Sequence, residues 1–217
     1  MTPRIASVLS NNNKEKVEEY LAKSINFVFF LGIPLTLGVM SVAKTLVPWF
    51  LGEEFSLSVS ILMTGSLLII AKGFTDVAGV QYLIPSRNQA IFTKSVVTGA
   101  ILNVVLNFIL IPICGAIGAI IASVIAEVAI AIVQYYYVKK QINIQIFTKA
   151  YLKYIVSGVL MFLTVYVMGI FMEPTIITTI LQICVGGIIY IGSLLIMKDK
   201  FLCERLDKIL RTLKIKK

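Results

Sequence analysis

Residues 91–138 read IFTKSVVTGAILNVVLNFILIPICGAIGAIIASVIAEVAIAIVQYYYV. From Ser95 to Val138 the stretch holds a single charge, Glu127, and it is punctuated once, by Pro112 with Gly115 three residues on. Each half is long enough to cross a hydrocarbon core of ~30 Å at 1.5 Å per residue. Proline costs least at a helix end, where its missing N–H has no partner to lose. The stretch therefore reads as a membrane hairpin, one span over 91–112 and another over 116–138. In lipid only helices and closed barrels satisfy the backbone, and unbroken apolar runs of this length are not the short alternating strands of a barrel.

Four further apolar runs flank the hairpin, at 25–47 and 57–84 before it and at 151–171 and 176–197 after it. The sequence thus predicts an all-α polytopic membrane protein with six transmembrane helices over 25–197. A polar, helical N-terminal segment, 1–24, precedes them, and a basic amphipathic tail, 198–217, follows. Phe201, Leu202, Leu206, Ile209, Leu210 and Leu213 share one face of that tail, as expected of a helix lying on the inner leaflet. Pro48, Pro85 and Pro174 fall at or just beyond predicted ends. Pro34 lies inside the first span, which predicts a kink and a freed carbonyl that a neighbouring helix must satisfy. Residues 1–24 contain no apolar core of a cleavable signal, so the first span is expected to direct its own insertion.

Composition agrees. Of 217 residues 58% are apolar and 14% charged, with a mean hydropathy of +0.92. A soluble domain has about 45–50% and about 25%. An ordinary soluble domain, a disordered chain and a secreted disulfide scaffold are excluded. Cys114, Cys184 and Cys203 show neither disulfide nor metal-knuckle spacing. Histidine is absent, which removes the usual general base and the commonest zinc ligand. Without a GxxxxGK[ST] loop or a paired Asp-rich motif, no catalytic residue, metal or cofactor is expected, and the chain does not read as an enzyme.

The net charge of +9 sorts by side. Residues 1–24, the 85–94 and 139–150 loops and the tail, with adjoining span ends, hold eighteen of the twenty Lys and Arg. The opposite loops carry Glu53, Glu54 and Glu173 and no base. The positive-inside rule places both termini in the cytoplasm. In a membrane protein this charge reports topology rather than a nucleic-acid partner.

Four charges remain inside the spans, Lys44, Lys72, Asp76 and Glu127, and each needs a reason. Lys72 and Asp76 stand four apart on one face of a long span interrupted by Gly73 and Gly79. They read either as an intrahelical ion pair or as the lining of a polar transport cavity in a broken or tilted helix. Glu127 has no base near it in sequence and shares a face with Ser123 and Gln134. It reads as a protonated, packed acid or as a carboxylate lining a water-filled cavity. Asn103 and Asn107, with Gly99, make an i, i+4, i+8 ridge that either ties helices together or meets a polar ligand. Gly118, Ala122 and Ala126 form a small-residue ridge for close packing. Arg4 and Arg87 sit where a span meets the cytoplasm, serving topology or contacting a phosphate headgroup.

The run Gly99-Ala100-Ile101-Leu102-Asn103-Val104-Val105-Leu106-Asn107-Phe108-Ile109-Leu110-Ile111-Pro112, followed by Gly115-Ala116-Ile117-Gly118-Ala119, resembles the G-A-x-x-N-x-x-L-N-x-x-L-I-P…G-A-x-G-A stretch of polysaccharide flippases. These are the O-antigen and capsule exporters of the multidrug/oligosaccharidyl-lipid/polysaccharide superfamily. Thr2-Pro3-Arg4-Ile5-Ala6 resembles the P-R-x-S that closes a helix in their second lobe, and Gln81-Tyr82-Leu83-Ile84-Pro85 resembles the Q-x-L-I-P before the hairpin. The resemblance covers essentially the whole chain. It implies the last six of twelve to fourteen helices, with the first lobe and two helices of the second lying outside this sequence.

The expectation is transmembrane transport of a lipid-linked oligosaccharide, on undecaprenyl diphosphate, by alternating access in the bacterial plasma membrane. Lys72, Asp76, Asn103, Asn107, Glu127 and Gln134 are the cavity candidates, and Arg4 and Arg87 the headgroup candidates. The expected partners are the bilayer, the N-terminal lobe, and polysaccharide polymerase and glycosyltransferases. The alternatives are a multidrug or lipid-precursor exporter of the same superfamily, or a non-transporting membrane assembly subunit.

Overall fold

A computed structural model of the chain describes residues 2–10, 13–142, 149–199 and 201–205. Among them every regular element is helical: α1 (Thr2–Ser10), α2 (Lys14–Leu51), α3 (Ser56–Gly65), α4 (Leu67–Thr75), α5 (Gln89–Gln141), α6 (Lys149–Phe171) and α7 (Ile176–Ile196). A 3-10 turn over Glu53–Phe55 precedes α3, and a π-helical stretch over Asp76–Leu83 continues α4. Beyond Ile196 a short helical turn covers 201–205; the rest of the predicted amphipathic tail lies outside the described residues.

Among the described residues five helical stretches are long and apolar enough to cross a membrane, counting Glu53–Leu83 as one. The longest, α5, is not straight. Gly115 adopts φ 57° and ψ −133°, a backbone that a side chain would strain, and the chain doubles back there. A Cβ on Gly118 would lie 2.3 Å from the Leu110 carbonyl oxygen, and one on Gly99 would lie 2.3 Å from Ile130 Cγ1. Asn103 Nδ2 donates to Ser123 Oγ at 3.3 Å between them. The halves of α5 therefore run side by side, and the ridge of Gly118, Ala122 and Ala126 is buried in their seam.

The helices form a row. α2 is its centre, packed against α6 and α7 on one flank and against α3 and α4 on the other. α5 packs on α3, α4 and the π-helical stretch, and meets neither α6 nor α7 among the described residues. The core runs through α2, where Leu21, Ile25 and Ile33 are buried with Val77, Leu83, Tyr154 and Leu194. Elsewhere large apolar side chains face outward, Phe108, Phe171 and Ile196 at 80% exposure or more. Outward apolar faces on helices of this length fit a lipid solvent.

Two prolines refine the expected helix ends. α2 runs one turn past Pro48, closing where the Gly52 N–H donates to the Pro48 carbonyl at 3.0 Å. It also runs through Pro34, whose missing N–H frees the Phe30 carbonyl four residues back. Tyr190 of α7 fills the gap, its hydroxyl donating to Phe30 O at 2.8 Å. A neighbouring helix thus supplies what the proline withholds.

Candidate functional site

Within α4, Lys72 and Thr75 stand three apart, so both project from one face. That face meets the second half of α5 at Glu127. Lys72 Nζ lies 3.1 Å from Glu127 Oε2, and Thr75 Oγ1 donates to Glu127 Oε1 at 2.7 Å. The carboxylate therefore has a partner on each oxygen. Its side chain is 12% exposed, whereas that of Lys72 is 69% exposed. The cation is presented at the surface and the anion is packed behind it.

This geometry replaces the intrahelical Lys72–Asp76 pair. Asp76 is exposed at the start of the π-helical stretch, and its carboxylate has no hydrogen bond or ion pair among the described residues. The base that neutralises Glu127 comes from a different helix, where sequence proximity could not reveal it. Thr75 was missed as well, although its i+3 spacing from Lys72 was the available signal.

The other cavity candidates sit elsewhere. Asn107 Nδ2 donates to Asn103 Oδ1 at 2.9 Å, and Asn103 donates to Ser123, so this pair lies in the hairpin seam. Gln134 is buried and donates to Ser95 Oγ at 3.0 Å, against Gly79. Ser123, Glu127 and Gln134 thus reach three different places from one helix. The fourth intramembrane charge, Lys44, donates to the Tyr166 hydroxyl at 3.0 Å and lies over that ring.

Beside the ion pair runs an open apolar groove of about 420 Å³ between α2, α4 and α5, lined by Phe29, Ile70, Phe74, Val124 and Ala131 among others. Val124 and Ala131 stand one turn to either side of Glu127, so groove and carboxylate occupy adjoining faces.

Described residues from the loops that the charge pattern assigned to one side lie together. Lys14, Arg87 and Lys140 border a common basin there, and Asn26, Tyr154 and Asp199 form a polar contact. Arg4 is exposed on α1. Nearby Glu19 pairs with Lys23, whose hydrogen bond holds the glutamate carboxyl below its usual range.

A row of membrane-length helices with a paired charge between two of them and an apolar groove alongside is the architecture of a multi-pass helical membrane protein. The family model of the lipid II flippase MurJ matches residues 1–186, and the chain belongs to that family. It is also similar to "Probable low-salt glycan biosynthesis flippase Agl15" of Haloferax volcanii, 24% identical over 148 residues that cover 66% of this chain and 30% of the relative. A second relative is "Putative O-antigen transporter" of Shigella dysenteriae, 26% identical over 130 residues covering 60% of this chain and 32% of that protein. The chain thus spans about a third of the length of the curated relatives it matches. No solved structure matches it.

Proposed function

We propose that this chain acts as the C-terminal lobe of a flippase that moves an undecaprenyl-diphosphate-linked oligosaccharide across the bacterial plasma membrane by alternating access about a midplane cavity. The Lys72–Glu127 pair carries the reading. A charge at the bilayer centre costs at least ~2.5–3.5 kcal/mol, so a cation held exposed beside an apolar groove supports an anionic, lipid-borne ligand. In this reading Lys72 donates to the diphosphate, Glu127 retains the Thr75 hydroxyl, and the adjoining groove takes the isoprenoid chain. Exchange of the Lys72 partner then biases α4 against α5. Asp76, exposed one turn on from Lys72, belongs to the cavity wall in this reading, while Asn103, Asn107 and Gln134 hold the hairpin that carries Glu127.

The relatives' greater length supports a second lobe as the completing partner, with glycosyltransferases and a polymerase supplying and consuming the cargo. In this reading the basic end, with both termini, faces the cytoplasm by the positive-inside rule, and the hairpin at Gly115 supports six crossings. The polar stretch 1–24 is the cytoplasmic entry and 198–217 the cytoplasmic tail. Lipid II as cargo is the second reading, favoured by the matching family's own description.

In cells lacking their own O-antigen flippase, the chain expressed with a matching first lobe is expected to restore surface glycan. Lys72→Met is expected to abolish the restoration and Lys72→Arg to retain part of it. Full restoration by Lys72→Met, or none by the unsubstituted chain, overturns the reading. Accumulation of translocated lipid II instead of glycan selects the second cargo.

A further inference from the structure

The basic end of the bundle holds a basin of about 850 Å³ that the Lys72–Glu127 site does not include. Its floor is built. The Tyr82 hydroxyl donates to Gln141 Oε1 at 3.0 Å, and Asn88 Nδ2 donates to the same oxygen at 3.1 Å. Two donors on one side-chain oxygen fix the amide, and its NH2 group is left as a donor pair with no partner among the described residues. Around this floor stand Lys14, Arg87 and Lys140, and among the described residues no carboxylate lines the basin.

Arg87 is placed there at a cost. Its φ is +62°, a left-handed backbone that glycine adopts freely and arginine does not. The turn is locked from both sides: the Arg87 N–H donates to Ile84 O at 3.2 Å and the Asn88 N–H to Leu83 O at 2.9 Å. Bases concentrated for topology alone require only the right side of the membrane. They do not require convergence on a shared cavity, a fixed amide floor and a strained arginine.

We infer that this basin binds a phosphate-bearing group, with Lys14, Arg87 and Lys140 neutralising its charge and the Gln141 amide donating to its oxygens. The same chemistry is offered by an anionic lipid headgroup at the bilayer surface and by a soluble diphosphate. Binding there needs neither Lys72 nor a second lobe, so it stands or falls separately from the transport reading.

The full chain, purified in detergent micelles, is titrated with phosphatidic acid and with inorganic pyrophosphate, phosphatidylcholine serving as the zwitterionic comparison, and bound species are read by native mass spectrometry. Arg87→Gly keeps and relaxes the turn while removing the guanidinium. It is expected to weaken binding by about tenfold, the scale of one charge-assisted hydrogen bond to phosphate. Lys94→Gln, which removes an exposed base outside the basin lining, is expected to leave binding unchanged. Binding of phosphatidic acid alone assigns the lipid source, binding of pyrophosphate alone the soluble one, and competition between the two a site open to both. Absence of binding by either, equal binding by Arg87→Gly and the parent chain, or loss in Lys94→Gln overturns the inference.

Discussion

Lys72 and Glu127, fifty-five positions apart, meet at 3.1 Å between α4 and the second half of α5, and Thr75 donates to the other carboxylate oxygen. The pair is asymmetric: removing the lysine leaves a packed carboxylate with one hydroxyl, whereas removing both leaves an apolar contact. Breaking a buried pair is costlier than replacing it. Lys72→Met alone is therefore expected to destabilise the chain by about 1–2 kcal/mol, discounted because the ammonium is exposed. Lys72→Met with Glu127→Leu is expected to recover most of that loss. Unfolding titrations in mixed micelles read the cycle, and additive losses would show that the two side chains are not coupled.

Part of this site was legible in the sequence and part was not, for a geometric reason. Spacing along a helix reports neighbours three and four residues away, so it put Asn103 and Asn107 on one ridge and suggested Lys72 with Asp76. The first pair forms; the second gives way to Glu127, whose approach depends on how α5 lies against α4. The hairpin was legible because proline and glycine interrupt an otherwise unbroken apolar run at Pro112 and Gly115. The π-helical stretch was foreshadowed by Gly73 and Gly79, but its register was not, because glycine relaxes a helix without specifying which hydrogen bonds replace the old ones. Gln182, buried on α7, accepts from Thr45 Oγ1 and donates to Val165 O. It went unseen because nothing in the spacing marks an amide as the joint of three helices.

A close approach to backbone in the hairpin sets a second expectation. A Cβ on Gly118 would fall 2.3 Å from a backbone oxygen, which cannot rotate away as a side chain could. Gly118→Ala is expected to destabilise by about 1–3 kcal/mol, the range for overpacked interiors. Gly192, with nothing within 4 Å of its Cβ position, is expected to accept alanine without loss. Equal stability of the two variants in the same micelles would refute the hairpin seam.

Asp199 fixes the exit of the chain from α7. It is 2% exposed, accepts from the Leu202 N–H at 3.0 Å, and lies 3.4 Å from the Tyr154 hydroxyl, which donates to Asn26. Loss of such a cap costs about 1 kcal/mol of local helix stability. Asp199→Ala is expected to speed trypsin cleavage after Arg205 by about fivefold, since cleavage follows the open population. Mass spectrometry of the released tail measures it, and an unchanged rate would remove Asp199 from that role.

The Pro34–Tyr190 relationship gives the sharpest cycle. Proline at position 34 withholds the N–H that would bond Phe30 O, and the Tyr190 hydroxyl donates to that oxygen at 2.8 Å from a neighbouring helix. In lipid no water replaces a lost donor, so Tyr190→Phe should cost about 1 kcal/mol while Pro34 remains. In a Pro34→Ala background the new backbone N–H reaches the same carbonyl, and the tyrosine becomes redundant. Tyr190→Phe is then expected to cost little. The dependence runs one way only if the hydroxyl substitutes for the missing backbone bond. If Tyr190 served only to pack against Phe30, whose ring lies 6.1 Å from its own, Tyr190→Phe would be near neutral in both backgrounds. Unfolding titrations of the four proteins separate the two cases.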